Sequence, residues 1–284
     1  MLPINEAEQE KLGQAIRRKG LLIKMNLIIT AGGTRERIDS VRTITNDATG
    51  RLGSLIAKEF SQRLLKIPHN IYYLCGQSAA VPEITDTSIH KIRIEGTDQL
   101  FHEMKSLLTT QKIDAVIHSM AVSDYKVSSI TTLEILVKKM QQEMIKDMRQ
   151  ASCEVWMEAV KRTVMDQQVE GQKISSELEN PLLLLEKTPK IIEMIKETSP
   201  QTLLVGFKLL CGVSKDMLIG TALKLLQKNN CDFVLANDTD EMKENQHIGY
   251  LIEPTGEYKI YQNKIEIAEG IADAIIKKYA GGHL

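Results

Sequence analysis

Apolar residues in this chain follow two rhythms. Short, nearly continuous runs at 27–29 (LII), 70–75 (NIYYLC), 90–94 (HKIRI), 114–118 (DAVIH), 202–207 (TLLVGF) and 232–236 (DFVLA) read as buried strands. Elsewhere apolar positions recur at helical spacing, as in Leu52, Leu55, Ile56, Phe60 and Leu64. Further helices are expected over 97–108, with Thr97 or Asp98 as cap, over 189–196 with Pro189 in the first turn, and over 217–228 and 265–279. The runs 249–253 and 257–261 flank Pro254-Thr255-Gly256 and predict a β-hairpin.

Strand and helix therefore alternate. That pattern predicts an α/β, Rossmann-like fold: a mostly parallel sheet with helices on both faces. The rhythm breaks over 126–172, which is rich in Lys, Gln, Glu and Met and holds Trp156. An amphipathic helix is expected over 133–149, and the whole stretch reads as an inserted flap or dimerisation segment. Residues 1–24 read as a polar N-terminal extension, with Met25 directly before the first strand as an alternative start. Residues 25–284 then form a single α/β domain carrying the insertion.

Composition narrows the function. Thirty-six Lys and Arg against 37 Asp and Glu leave a net charge of −1, and aromatics are 4%. This is no footprint for nucleic acid. Cys75, Cys153, Cys211 and Cys231 form no C-x-x-C pair, which points away from zinc knuckles and disulfide frameworks and toward a reducing, cytoplasmic setting. No apolar run reaches the ~18 residues of a membrane helix, and the charged N-terminal segment is no secretory signal.

The richest stretch is 26–53, NLIITAGGTRERIDSVRTITNDATGRLG. An apolar strand runs into two glycine turns, at Gly32-Gly33 and at Gly50 to Gly53, and then into a helix. Such turns hold phosphate, because backbone N–H groups and a helix N-terminus face the anion. The pattern is neither G-x-G-x-x-G nor G-x-x-x-x-G-K-[ST]. Polar residues also gather at four expected strand ends: 30–33, 119–124, 206–208 and 237–238. In open α/β sheets, ligands bind at such ends. Plain structural roles stand beside each candidate. The glycines also serve as simple turns, Asn46 and Asp124 as caps, Lys173 as a solvated charge, and Lys224 with Lys228 as an exposed helix face. His118 fits a packed, hydrogen-bonded site better than a metal ligand.

Read in order, ITAGGTRERIDSVRTITNDATGRLG, IHSMAVSDY, QKISS, KTPKII, VGFK and ANDT resemble the phosphopantothenoylcysteine synthetase (phosphopantothenate–cysteine ligase) family over roughly residues 26–240. The stand-alone bacterial form is the most similar. The resemblance implies a two-step reaction: CTP activates the carboxylate of 4′-phosphopantothenate, and cysteine then displaces CMP from the acyl-cytidylate. Magnesium is expected with the triphosphate. By the same resemblance, Gly32, Ala48, Gly50 and Gly53 cradle the triphosphate. Asn46 holds the substrate carboxylate and acyl intermediate, and Lys173 stabilises activation; these are the two catalytic candidates. Met120, Ala121 and Asp124 line the crevice for both substrates, with His118 and Ser119 on the nucleotide side. Pro189, Lys190, Ile191, Ile192, Phe207, Lys224, Lys228 and Asn237 match nucleotide-contacting positions. Arg42 matches an arginine that reaches a neighbouring subunit's substrate, which implies a homodimer. Metal ligands are not identified.

The chain departs from the family's usual pattern in three places. Ala48-Thr49 stands where paired serines are usual. Ser175-Ser176 replaces a lysine-rich continuation after Lys173. The 126–172 stretch is longer than in many members. Two other classes remain open: a nicotinamide-dependent oxidoreductase, disfavoured by the absent fingerprint, and a non-catalytic nucleotide-binding regulator, to which the altered serine turn points.

Overall fold

The computed structural model describes residues 24–144, 152–165, 174–175, 177–243 and 246–282. The expected extension thus lies outside the described residues except for Lys24, as do Lys173 and the end of the helix expected over 133–149. In chain order the elements are β1 (Met25–Ala31), β2 (Arg35–Arg37), β3 (Thr43–Thr45), α1 (Arg51–Arg63), β4 (His69–Gly76), β5 (Ile89–Ile94), α2 (Thr97–Thr110), β6 (Ala115–His118), β7 (Tyr125–Thr132), α3 (Leu133–Met144) and α4 (Cys153–Met165). They continue as β8 (Pro181–Lys187), α5 (Ile191–Thr198), β9 (Leu203–Leu210), α6 (Lys215–Lys228), β10 (Phe233–Asp238), β11 (Met242–Lys243), β12 (Gln246–His247), β13 (Gly249–Ile252), β14 (Tyr258–Tyr261) and α7 (Lys264–Gly282).

Two compact units result. The first holds the described residues up to Thr34, Asp47–Val122 and those from Lys190 onward; the second holds Arg35–Asn46 and Ser123–Pro189. The second unit is wider than the 126–172 excursion, because it also takes in the β2–β3 ribbon and β8, the partner strand of β7.

In the first unit an eight-stranded sheet runs β14-β13-β10-β9-β6-β1-β4-β5. From β10 to β5 every pairing is parallel, and only the hairpin β13–β14 adds antiparallel pairs. Alternate residues of each strand enter opposite cores. Leu27, Ile29, Ile71, Tyr73 and Ile117 pack with Ile56 and Phe60 of α1 and Ile267 and Ile271 of α7. Ile28, Leu74, Val116 and Val234 pack with Leu100 of α2, Ile195 of α5 and Leu218 of α6. Burial on both faces is why these strands read as apolar runs rather than as alternation. Each fully buried Leu, Ile or Phe contributes roughly 1.5–3 kcal/mol.

Two local expectations change. The helix at 97 is not capped by Thr97 or Asp98. Gly96, in extended conformation, is its N-cap, and the Thr97 hydroxyl instead donates to Thr34 Oγ1 at 3.4 Å. Gly206–Lys208 is not a strand end. β9 runs on to Leu210, with Lys208 paired to Ala236 in the parallel ladder, and stops before Gly212 at φ +63.

The second unit contains the antiparallel ribbon β2–β3. It also contains β7 and β8, antiparallel with an irregularity between Val127 and Ser129, and the helices α3 and α4. The Thr188 hydroxyl donates to Ser123 O at 2.5 Å and Thr188 N to Asp124 O at 3.1 Å, so the chain entering β7 and the chain leaving β8 are stitched together.

Candidate active site

β1 is followed in the sheet by β4 and β5 on one side, and the chain then crosses to β6, β9 and β10 on the other. The order reverses between β1 and β6, and ligands of open α/β sheets sit beyond the carboxyl ends of the strands at such a point. Here that edge carries the first glycine turn, the start of α1, the loop after β4 and the loop after β6.

These segments are pressed together. Gly32 and Gly50 lie at φ +81 and +71, a region that a Cβ disfavours. A Cβ on Gly50 would stand 2.8 Å from Ala79 Cβ and 3.0 Å from the Gly32 nitrogen. Ala80 N donates to Thr49 O at 2.9 Å, and Arg93 Nη1 donates to Gly76 O at 2.7 Å, fixing the loop after β4 against both turns. A Cβ on Gly53 would stand 2.6 Å from Ala31 Cβ and 3.0 Å from Ser119 Oγ, so the first turn of α1 rests on the end of β1. The N-cap of α1, Gly50, offers no side chain, and Arg51 N reaches a hydroxyl, Thr49 Oγ1 at 3.4 Å. The first N–H groups of α1 have no partner within the helix and gather partial positive charge. The site floor is closed by backbone: Ala121 N donates to Gly32 O at 2.8 Å and Thr34 N to Ala121 O at 3.2 Å. The amides of Ala121 and Thr34 are therefore spent on each other's loops.

On the opposite face of β1, Thr30 Oγ1 accepts from Met120 N at 3.0 Å and lies 3.1 Å from His118 Nδ1. The Ser119 hydroxyl donates to Thr30 O. Burial pushes His118 down to about 4, which keeps the ring uncharged at neutral pH. Gly32, Ala48, Gly50, Gly53, His118, Ser119, Met120 and Ala121 therefore share one edge of one unit.

Asn237 is the last residue but one of β10 at the same edge, three strands from β1, and its Nδ2 lies 3.2 Å from His247 Nε2. Burial, with the Lys264 cation, lowers His247 to about 4. Next to it, Asp238 accepts from Gly212 N, Val213 N and Asp240 N, each at 2.9 Å. The backbone donors of Val213, Asp240 and Gly212 hold its carboxyl below the usual range. The loop after β9 is thereby fastened to the end of β10.

The remaining nucleotide candidates are dispersed. Ile191 and Ile192 begin α5 on the α2–α5–α6 face, with Lys190 just before them. Lys224 and Lys228 are exposed on the second half of α6, and Lys228 Nζ pairs with Glu193 Oε1 at 2.6 Å. Phe207 packs against the opposite core, with α1 and α7.

Arg42, Asn46, Asp124 and Pro189 belong to the second unit. Asn46 directly follows β3, and Asp124 directly precedes β7; both are exposed. The unforeseen residue there is Asp39. Its buried carboxylate accepts from Val41 N at 2.8 Å, Arg42 N at 2.7 Å and Ile174 N at 3.1 Å, and Arg42 Nη1 stands 3.5 Å away. Burial works to raise its pKa, but the three backbone donors and Arg42 outweigh that and hold it low. A local Asx-type turn was legible in the sequence; the bond to Ile174, 135 residues away, was not. The loop after β4 carried no motif either, since Ala79 acts only through its position.

The family described as DNA/pantothenate metabolism flavoprotein C-terminal domain matches residues 22–151 and 135–279. The coenzyme A biosynthesis bifunctional protein CoaBC of Thermococcus kodakarensis is 29% identical over 253 residues, covering 88% of this chain and 51% of that protein. CoaBC of Methanocaldococcus jannaschii is 25% identical over 278 residues, covering 94% and 53%. The chain thus spans about half the length of the curated relatives it matches. Among solved structures, the DNA/pantothenate metabolism flavoprotein of Streptococcus pneumoniae is 34% identical with a TM-score of 0.72, covering 89% of this chain and 99% of that one. A Cab2 histidine-to-alanine mutant complexed with phosphopantothenate-cysteine shares the fold, at 15% identity and a TM-score of 0.60 over 98% of this chain and 94% of that one.

Proposed function

Because the chain belongs to the DNA/pantothenate metabolism flavoprotein C-terminal domain family, we propose that it is the ligase that joins 4′-phosphopantothenate to cysteine in coenzyme A biosynthesis, using CTP. The observation that carries the proposal is the cradle of Gly32, Gly50 and Gly53 at a helix start whose N-cap is glycine, where the strand order reverses. It suits a phosphate-rich ligand. Relatives named for coenzyme A biosynthesis and a neighbour in fold complexed with phosphopantothenate-cysteine supply the substrate class.

A carboxylate is a poor acyl donor to an amine at neutral pH. In the first step its oxygen attacks the α-phosphorus of CTP, forming the acyl-cytidylate and expelling pyrophosphate. In the second, the cysteine amine attacks the acyl carbon, loses a proton and expels CMP. Both steps gain from holding two anions in register and from donors aimed at developing charge. The N–H groups at the α1 start receive the triphosphate, with Asn237 on the phosphate side. Met120 and Ala121 line the crevice. Asn46 donates its amide to the acid carboxylate and the intermediate, Asp124 contacts the substrates' polar groups, and Lys173 neutralises charge in activation. Arg42 binds the acid substrate of a partner subunit in a homodimer. Among the described residues no three carboxylate, histidine or cysteine side chains come together as a cation cage; magnesium would come with the triphosphate, whose oxygens supply most of its ligands. Bound there, it would supply charge neutralisation. No helix among the described residues is long and apolar enough to cross a membrane.

The test is direct. Purified protein with phosphopantothenate, cysteine, CTP and magnesium is expected to release pyrophosphate and CMP, with amide formation requiring cysteine. Failure to release pyrophosphate with CTP, ATP or other triphosphates would overturn the ligase assignment. CTP binding without turnover would point instead to the regulator suggested by Ala48-Thr49.

A further inference from the structure

We propose that Asp39 is a positioning residue, which holds the Arg42 guanidinium in place to receive the anionic end of the acid substrate. This rests on the proposed function, and on the role given there to Arg42.

The side chain of Asp39 is fully buried, whereas that of Arg42 is 45% exposed. Oδ1 takes the amides of Val41 and Arg42, and Oδ2 takes that of Ile174. Ile38 N in turn donates to Arg42 O at 2.9 Å, closing the 38–42 loop on itself. One carboxylate thus fixes where the Arg42 backbone sits. From 3.5 Å, it also biases one Nη of the guanidinium. Among the described residues Asp39 is the only ion-pair partner of Arg42. A guanidinium has five donors in a planar fork, so a tether at one nitrogen leaves most of the fork for an incoming anion. Holding the fork beforehand lowers the ordering cost of binding. The β2–β3 ribbon has its own ladder, so the carboxylate is not needed to pair the strands. Its geometry is matched to the loop that carries Arg42.

Asp39→Asn tests this. The change keeps an acceptor but turns an amide NH2 toward the Ile174 N–H or the Arg42 amides. Steady-state kinetics with CTP, phosphopantothenate and cysteine are compared for the wild type, Asp39→Asn, Arg42→Ala and the double variant. Expected for each single variant is a rise in the phosphopantothenate KM on the order of tenfold, the scale of one charge-assisted bond, with the CTP KM unchanged. In the double variant, Asp39→Asn should add little further. Should Asp39→Asn fail to fold, Asp39→Glu, which keeps the charge but displaces it by a methylene, enters the same cycle. A normal phosphopantothenate KM in Arg42→Ala would sink the role of Arg42, and the proposal with it. A raised KM in Arg42→Ala, with Asp39 effects that are absent, fully additive or shared equally by the CTP KM, would overturn the positioning role alone.

Discussion

At the residue scale, the buried side chains at the carboxyl edge do electrostatic work by staying uncharged or by being saturated. His118 is held near 4 by burial, beside the Thr30 hydroxyl. A histidine ordinarily titrates near ~6.5. Between those values the unfolded chain binds a proton that the folded chain refuses. Stability is therefore complete above the ordinary histidine range and is lost as pH falls toward 4. One such proton gives a slope of up to about 1.4 kcal/mol per pH unit. His247, also lowered to about 4, acts in the same direction. Urea unfolding of His118→Asn over pH 4–6.5 is expected to show a slope shallower by about one proton; an unchanged slope would show that His118 is not neutral in the fold. Asp39 and Asp238 make the complementary case. Each accepts backbone amides both from its own turn and from a segment distant in the chain. The distant bonds, from Ile174 to Asp39 and from Gly212 and Val213 to Asp238, left no mark in the sequence, because they depend on how loops far apart in the chain are brought together.

At the element scale, α1 is the part on which the cradle depends. Its first turn contacts β1 and the loop after β6 without a side chain between them, since Gly53 leaves no room for one. Gly53→Ala should force α1 off the strand end. A loss of about 1–3 kcal/mol in stability is expected from overpacking. Nucleotide binding should weaken at least ~10-fold, because the helix N–H groups then point away from the anion. Thermal melts and calorimetric CTP titration read the two effects. Retained affinity would mean that the α1 start does not hold phosphate. This element was legible from the glycine turns and the stripe of Leu52, Leu55, Ile56 and Phe60. The extents of β9 and of the α2 cap were not, because cross-strand pairing carried Lys208 into the ladder and burial turned Thr97 away from capping.

At the scale of the whole molecule, the cradle residues lie in one unit and Asn46 in the other. Binding and chemistry should therefore separate. Asn46→Ala is expected to bind CTP with near-normal affinity by calorimetry, yet to lose at least ~100-fold in turnover, the scale of a lost transition-state donor. Near-normal turnover would remove Asn46 from the reaction. The strand–helix alternation, the doubly covered parallel sheet and the two glycine turns ahead of α1 were determined by the sequence alone. They follow from local periodicity and from the freedom of glycine, which need no knowledge of distant residues. Only the tertiary structure decided that Ala79 backs both glycine turns, that Phe207 and the α6 lysines serve opposite faces, and that Asp39 ties Arg42 to Ile174. Contacts between residues far apart in the chain depend on how the elements pack, and that leaves no periodic trace in the order of amino acids.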